Sequence, residues 1–138
     1  MFLLDTNVVS ELRKAHFGKA DPRVAAWAAA TRPSGLFLSV VSVMELEQGI
    51  LSLARRDPRQ AATIRRWLDD QVLPAFEGRI LVVDLAVARC CAALHVPDRR
   101  QERDALIAAT ALVHGLTVVT RNQADFEPTG APLLNPWQ

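Results

Sequence analysis

Apolar residues in this chain fall into short dense runs separated by longer stretches of helical period. Phe2-Leu3-Leu4, Leu36-Phe37-Leu38, Ile80-Leu81-Val82-Val83 and Leu116-Thr117-Val118-Val119 are each three or four residues long, with Leu133-Leu134 a candidate fifth run. Runs this short, bounded by polar and turn residues, read as buried strands. Helix starts are marked between them. Asp21-Pro22 and Asp57-Pro58 each pair a capping acid with a proline at the first helical position. Ser39 and Asp84 stand as caps directly after apolar runs. The pattern predicts helices over residues 8–13, 22–32, 40–55, 85–94 and 105–113, and one from 58 that ends before Pro74. His114-Gly115 supplies a stop, a basic residue in the last turn followed by a left-handed C′ glycine. Strands that alternate with helices imply parallel pairing through right-handed crossovers with helices on both faces, an α/β domain. With neither repeats nor a linker, residues 1–138 read as one domain.

Composition narrows the classes without naming one. The chain is 138 residues long and half hydrophobic, with mean hydropathy +0.11, enough to bury a core and too apolar for disorder. Net charge is +1, so bulk charge argues for no nucleic acid, and any such contact must come from local clusters. Cys90 and Cys91 are adjacent in a helical stretch, make no zinc spacing and no disulfide framework, and suit a reducing cytoplasm. Phe2-Leu3-Leu4 runs into Asp5 without a basic leader, and no apolar run reaches the ~18 residues of a membrane span. A cytoplasmic protein is expected.

The candidate chemistry lies where strands hand over to helices. Asp5-Thr6-Asn7 follows the first run directly, and parallel α/β sheets bind ligands just beyond such strand ends. Asp125 stands after the fourth run and Thr120-Arg121-Asn122, at the same edge if the sheet is parallel. Asp104 opens a helix whose same-face neighbours Ile107, Ala108 and Ala111 point inward, which places it at the mouth of the core. Its helix start favours the anion. Glu45 lies on a small and polar stripe with Val41, Ser42, Gln48, Gly49 and Ser52, opposite Val43, Ile50, Leu51 and Ala54. Gly49, in mid-helix, hints at a close approach. Glu47 projects into the apolar face and calls for a basic partner or a subunit contact. Taken singly, each aspartate also serves as a cap or loop acid, Glu45 as solvated surface, and Asp98 is a rival to Asp104.

Four acids at one sheet edge would repel. Two carboxylates about 5 Å apart cost roughly 3 kcal/mol at an effective dielectric near 20. Such a cluster takes up either protons or a cation. Oxygen donors without His or Cys select Mg²⁺, with Mn²⁺ as a substitute. A divalent ion on carboxylates with open water positions suits phosphodiester hydrolysis.

The chain resembles the PIN-domain ribonucleases, in particular the toxin component of VapBC-type toxin–antitoxin modules. The resemblance runs through Phe2-Leu-Leu-Asp-Thr-Asn-Val-Val-Ser-Glu-Leu, Ser39-Val-Val-Ser-Val-Met-Glu-Leu, Asp104-Ala-Leu-Ile-Ala-Ala-Thr-Ala and Leu116-Thr-Val-Val-Thr-Arg-Asn-Gln-Ala-Asp-Phe, and closes on Asn135-Pro-Trp. It implies a PIN-like three-layer α/β/α fold with a short central parallel sheet. The family's acidic quartet maps onto Asp5, Glu45, Asp104 and Asp125, which chooses Glu45 over Glu47. Asp5 and Asp104 become direct metal ligands, with Glu45 and Asp125 completing the pocket. Thr6, Asn7, Ser42, Thr120 and Asn122 become candidates to orient them. The charged stretch 98–103 departs from the family pattern and puts the helix onset there in question.

The resemblance further implies a Mg²⁺-dependent endoribonuclease acting as a toxin, a homodimer, RNA as substrate, no membrane, and a small antitoxin that blocks the cleft. Arg99, Arg100, Arg103 and Arg121 are candidate phosphate grips, with plain solvated surface as the alternative. The first helix and the one from Pro58 are candidate antitoxin surfaces. Trp27 and Trp67 read as core or interface, and His16 and His95 receive no role. Rival readings are a PIN-fold binding module without cleavage and a housekeeping RNA-processing nuclease. A phosphatase using Asp5 as nucleophile would need a second aspartate where Asn7 stands.

Overall fold

The structure, a computed structural model, describes residues 1–138 apart from the side chain of His16. Five parallel strands, β1 (Phe2–Leu4), β2 (Leu36–Ser39), β3 (Ile80–Leu81), β4 (Thr117–Val119) and β5 (Leu133–Leu134), form one sheet in the order β3-β2-β1-β4-β5. β1 lies at the centre, with Phe2 opposite Leu36 on one side and Thr117 on the other. Eight α-helices connect and cover them: α1 (Thr6–Arg13), α2 (Pro22–Ala30), α3 (Val40–Ala54), α4 (Pro58–Trp67), α5 (Leu73–Ala75), α6 (Leu85–Leu94), α7 (Glu102–His114) and α8 (Gln123–Phe126). This is the expected α/β/α architecture.

Two apolar layers sandwich the sheet. One joins Leu4, Val8, Val24, Leu38, Ile50 and Leu68, with Trp27 and Trp67 packed against it. The other joins Leu3, Val41, Ile107, Ala108, Val118 and Phe126. Alternation along β1 explains the split, since Leu3 and Leu4 face opposite sides. Trp27 and Trp67 are thus partly buried against the core, and Trp27 meets Phe2 edge to face at 5.3 Å. Among the described residues, no helix is long and apolar enough to cross a membrane.

The local signals explain most boundaries. Asp21, Ser39, Asp57 and Asp84 each accept an amide hydrogen bond as N-caps, and Gly115 ends α7 with φ +68°. Several expectations change. α1 starts at Thr6, because Asp5 caps it with its own carboxylate. The helix from Pro58 does not stop before Pro74. It widens into a π-turn segment over Leu68–Val72 and continues through α5, the wider turn accommodating a proline that has no amide to donate. α7 begins at Glu102 rather than after Asp104, with Gln101 as N-cap. On α3 the buried residues are Val41, Ser42, Leu46 and Ile50, while Leu51 is 60% exposed, so the inward face lies nearer Glu45 than the apolar pattern suggested. Glu47 is bound by Arg65 at 2.6 Å, the basic partner it required. A Cβ on Gly49 would meet nothing within 4 Å, so no close approach explains that glycine.

Candidate active site

Asp5 sits one residue beyond the central strand and is only 5% exposed. Its amide donates to the Val119 carbonyl at 2.9 Å, which extends the β1–β4 ladder to this point. One carboxylate oxygen accepts the Thr6 amide at 2.8 Å. The other accepts the Thr120 hydroxyl at 2.8 Å and the Asn7 amide group at 3.3 Å. Thr120 is fully buried, and its oxygen accepts the Asn122 amide at 3.0 Å, so its single proton is committed to Asp5. Asn7 also accepts the Arg121 amide at 3.4 Å, tying the turn after β1 to the turn after β4. This capping acid is therefore clamped from both strands at once.

Glu45 approaches from α3. The Thr6 hydroxyl donates to one of its oxygens at 2.9 Å, and Arg103 pairs with the other at 3.6 Å. Asp104 stands in the first turn of α7, and Asp125 on α8 is exposed. The four acids meet electrostatically. Asp104 is pushed up to about 6, by burial first and then by the charges of Asp5, Asp125 and Glu45. These outweigh the helix start that was expected to favour its anion. Asp5 is raised as well, by burial first. Its hydrogen bonds from Thr120 and Thr6 work against that rise, and the charges of Glu45 and Asp125 add to it. Four oxygen-donor side chains that act on one another by charge fit a hard divalent cation such as Mg²⁺ and do not fit a thiophilic one.

The other sequence candidates separate. Thr6, Asn7 and Thr120 orient acids directly. Asn122 contributes through its backbone amide. The Ser42 hydroxyl is fully buried and finds no hydrogen-bond partner among the described residues, so it orients no acid here. Among the arginines, Arg103 reaches the cluster, and Arg121 lies over the Trp137 ring at 5.3 Å. Arg99 and Arg100 instead bond within the α6–α7 junction, to Glu102 and to the Leu94 carbonyl. The sequence reading missed the Arg103–Glu45 pair, because nothing in the spacing places α7 against α3.

The pH response follows from Asp104. Its pKa is raised from 3.8 to about 6 on folding, so in that window the metal-free folded chain holds a proton that the unfolded chain has released. Stability without metal therefore falls as pH rises through the window, by on the order of 1–2 kcal/mol once solvent screening of a half-buried group is allowed for. Thermal melts between pH 4 and 7 in EDTA should show this decline relative to Asp104→Asn, and Mg²⁺ should remove it. Identical pH profiles for the two proteins would refute the assignment of the shift.

The family model described as PIN domain matches residues 2–130, and the chain belongs to the PIN-domain family. It is similar to VapC ribonuclease Y4jK of Sinorhizobium fredii, with 38% identity over 143 aligned positions that cover 100% of this chain and 99% of that protein. Toxin FitB of Neisseria gonorrhoeae is 34% identical, with 99% of each chain covered. The crystal structure of FitAcB from the same organism superimposes with a TM-score of 0.90 over 100% of this chain and 99% of that one.

Proposed function

We propose that residues 1–138 form a single PIN domain that hydrolyses RNA phosphodiester bonds as a Mg²⁺-dependent endoribonuclease, the toxin of a cytoplasmic toxin–antitoxin pair. The observation that carries this reading is the clamped Asp5 together with three further acids, brought from α3, α7 and α8, that act on one another by charge. Asp5 and Asp104 would hold the ion, with Glu45 and Asp125 completing the pocket. When bound, the ion supplies an activated water and neutralises charge building on the phosphate. The chain's own part is orientation. Thr120, Asn7 and the Thr6 amide fix the direction of the Asp5 oxygens, and Thr6 and Arg103 fix those of Glu45. Arg103 also places a cation at the rim, where an RNA phosphate would approach. The names ribonuclease and toxin carried by full-length relatives support the reading.

A small antitoxin and a second copy of the chain are the proposed partners. A hollow of about 240 Å³ runs from Thr6 and Glu45 to Ile64 and Trp67. It shares Arg13, Ile64 and Trp67 with one of about 450 Å³ that reaches the 65%-exposed Phe17. An antitoxin segment lying along α1 and α4 would thus end at the acids. Exposed Val82, Val83, Leu85, Leu112 and Val113 support the homodimer.

The test is cleavage of total RNA by purified, antitoxin-free protein in Mg²⁺ and in EDTA. Discrete cuts in Mg²⁺ that vanish in EDTA are expected. Metal-independent cutting would refute the mechanism, and RNA binding without any cleavage across RNA pools would favour a binding module.

A further inference from the structure

A second group of metal-ligating side chains lies at the α6–α7 junction. Cys91, His95 and Glu102 present donor atoms that all fall within 4.8 Å of one another. Cys91 and His95 are four residues apart at the end of α6 and so share a face, and Glu102 is the first residue of α7. The Arg100 amide donates to His95 Nδ1 at 2.9 Å, which fixes the ring with Nε2 3.8 Å from the Cys91 sulfur. A sulfur and a nitrogen sharing a tetrahedral zinc, with Zn–S about 2.3 Å and Zn–N about 2.0–2.1 Å, stand about 3.6 Å apart. The pair already has nearly that spacing. Glu102 is exposed and only loosely paired with Arg99 at 3.9 Å, which leaves its carboxylate free to swing in. A hollow of about 530 Å³, lined also by Ala88, Ala92 and Leu106, leaves room for a water as fourth ligand.

We propose that Cys91, His95 and Glu102 bind a thiophilic divalent cation of the Zn²⁺ class, at a site separate from the acidic pocket. Sulfur and imidazole donors select such an ion over Mg²⁺, so the inference stands whether or not the nuclease reading does. Without metal, burial and the Glu102 charge hold the Cys91 thiol protonated. The ion reverses that balance, the thiol releases its proton to solvent, and thiolate and carboxylate together neutralise the 2+ charge. The imidazole must change as well. Because Nδ1 accepts the Arg100 amide, the neutral ring carries its proton on Nε2. Ligation through Nε2 moves that proton to Nδ1 and breaks the Arg100 bond. Filling the site therefore rearranges the loop before α7, the helix that carries Arg103 and Asp104.

The test is Co²⁺ titration of the full chain stripped of metal by chelator. The expected result is a thiolate-to-cobalt charge-transfer absorption that saturates near one equivalent and is displaced by Zn²⁺. It should persist in Asp104→Asn and Cys90→Ser and be lost in Cys91→Ser. Glu102→Gln, a change at an exposed position that leaves folding intact, should raise the Co²⁺ needed at least about tenfold. Absence of the thiolate band from folded wild-type protein in excess Co²⁺ would overturn the proposal. So would its retention in Cys91→Ser, or an unchanged titration in Glu102→Gln.

Discussion

Asp104→Asn is expected to lower RNA cleavage by at least about 100-fold while leaving the chain folded. Asparagine keeps the shape of the side chain and removes its charge. Charge stabilisation by a bound metal is worth several kcal/mol, and each 1.36 kcal/mol is tenfold in rate. Folding should not suffer, because burial first and then the charges of Asp5, Asp125 and Glu45 disfavour the Asp104 carboxylate, which is pushed up to about 6. Removing its charge relieves repulsion with Asp5, Asp125 and Glu45, so at pH 7 the metal-free variant should melt at or above the wild-type temperature. Lost cleavage combined with undiminished stability distinguishes an active-site acid from a structural one. Cleavage at the wild-type rate would expose a contaminating nuclease or a site elsewhere.

Phe126→Ala should destabilise the chain by about 3–5 kcal/mol, the usual cost of emptying a fully buried phenylalanine site. Phe126 is completely inaccessible and lies in the apolar layer with Leu3, Ile107, Leu116 and Val118. A loss of that size is a large share of the ~5–15 kcal/mol that holds a domain together, and corresponds to roughly 10–15 °C in melting temperature. Activity should fall as well, since Phe126 is the anchor that follows Asp125 and holds α8 against α7. The same truncation at Phe17, which is 65% exposed, provides the contrast and should shift the melt by little. Equal effects at the two positions would contradict the burial described here.

Much of this architecture was legible because its signals are local. Asp-Pro caps, Ser39 and Asp84 after apolar runs, and the glycine at 115 each act within a few residues of the boundary they set. The strand end before Asp5, and the one that leads through Thr120-Arg121-Asn122 to Asp125, could be read for the same reason. What the sequence did not disclose depends on distant pairing. Asp5 meets Thr120 because β1 and β4 are neighbours, an adjacency that strand order in the sequence does not contain. Arg103 is one of four candidate phosphate grips in the sequence, and only the fold shows that it stands in the first turn of α7 and reaches Glu45 on α3. Glu102 and Arg103 make a polar first turn that differs little from the charged loop before it, which is why the helix start was misplaced. Cys90 and Cys91 make no zinc spacing in the sequence, and the neighbour of Cys91 in the fold is His95, one helical turn on. The resemblance to a family supplied the choice of Glu45 over Glu47. The pattern on α3 was a weak guide, since its apolar residues are shared between core and surface.

The central place of β1 also sets a timetable. It is the first strand to be synthesised, yet one of its two neighbours is β4, and the Asp5 amide and carboxylate are held by Val119 and Thr120. Chains fold as they emerge from the ribosome, and long-range parallel pairing comes late. A nascent chain that ends short of Asp104 has Asp5 and Glu45 but lacks the clamp and both remaining acids. On the proposed mechanism such a chain would not cleave until residues beyond 125 have been made, so half-finished chains would pose no threat to the messages being translated around them.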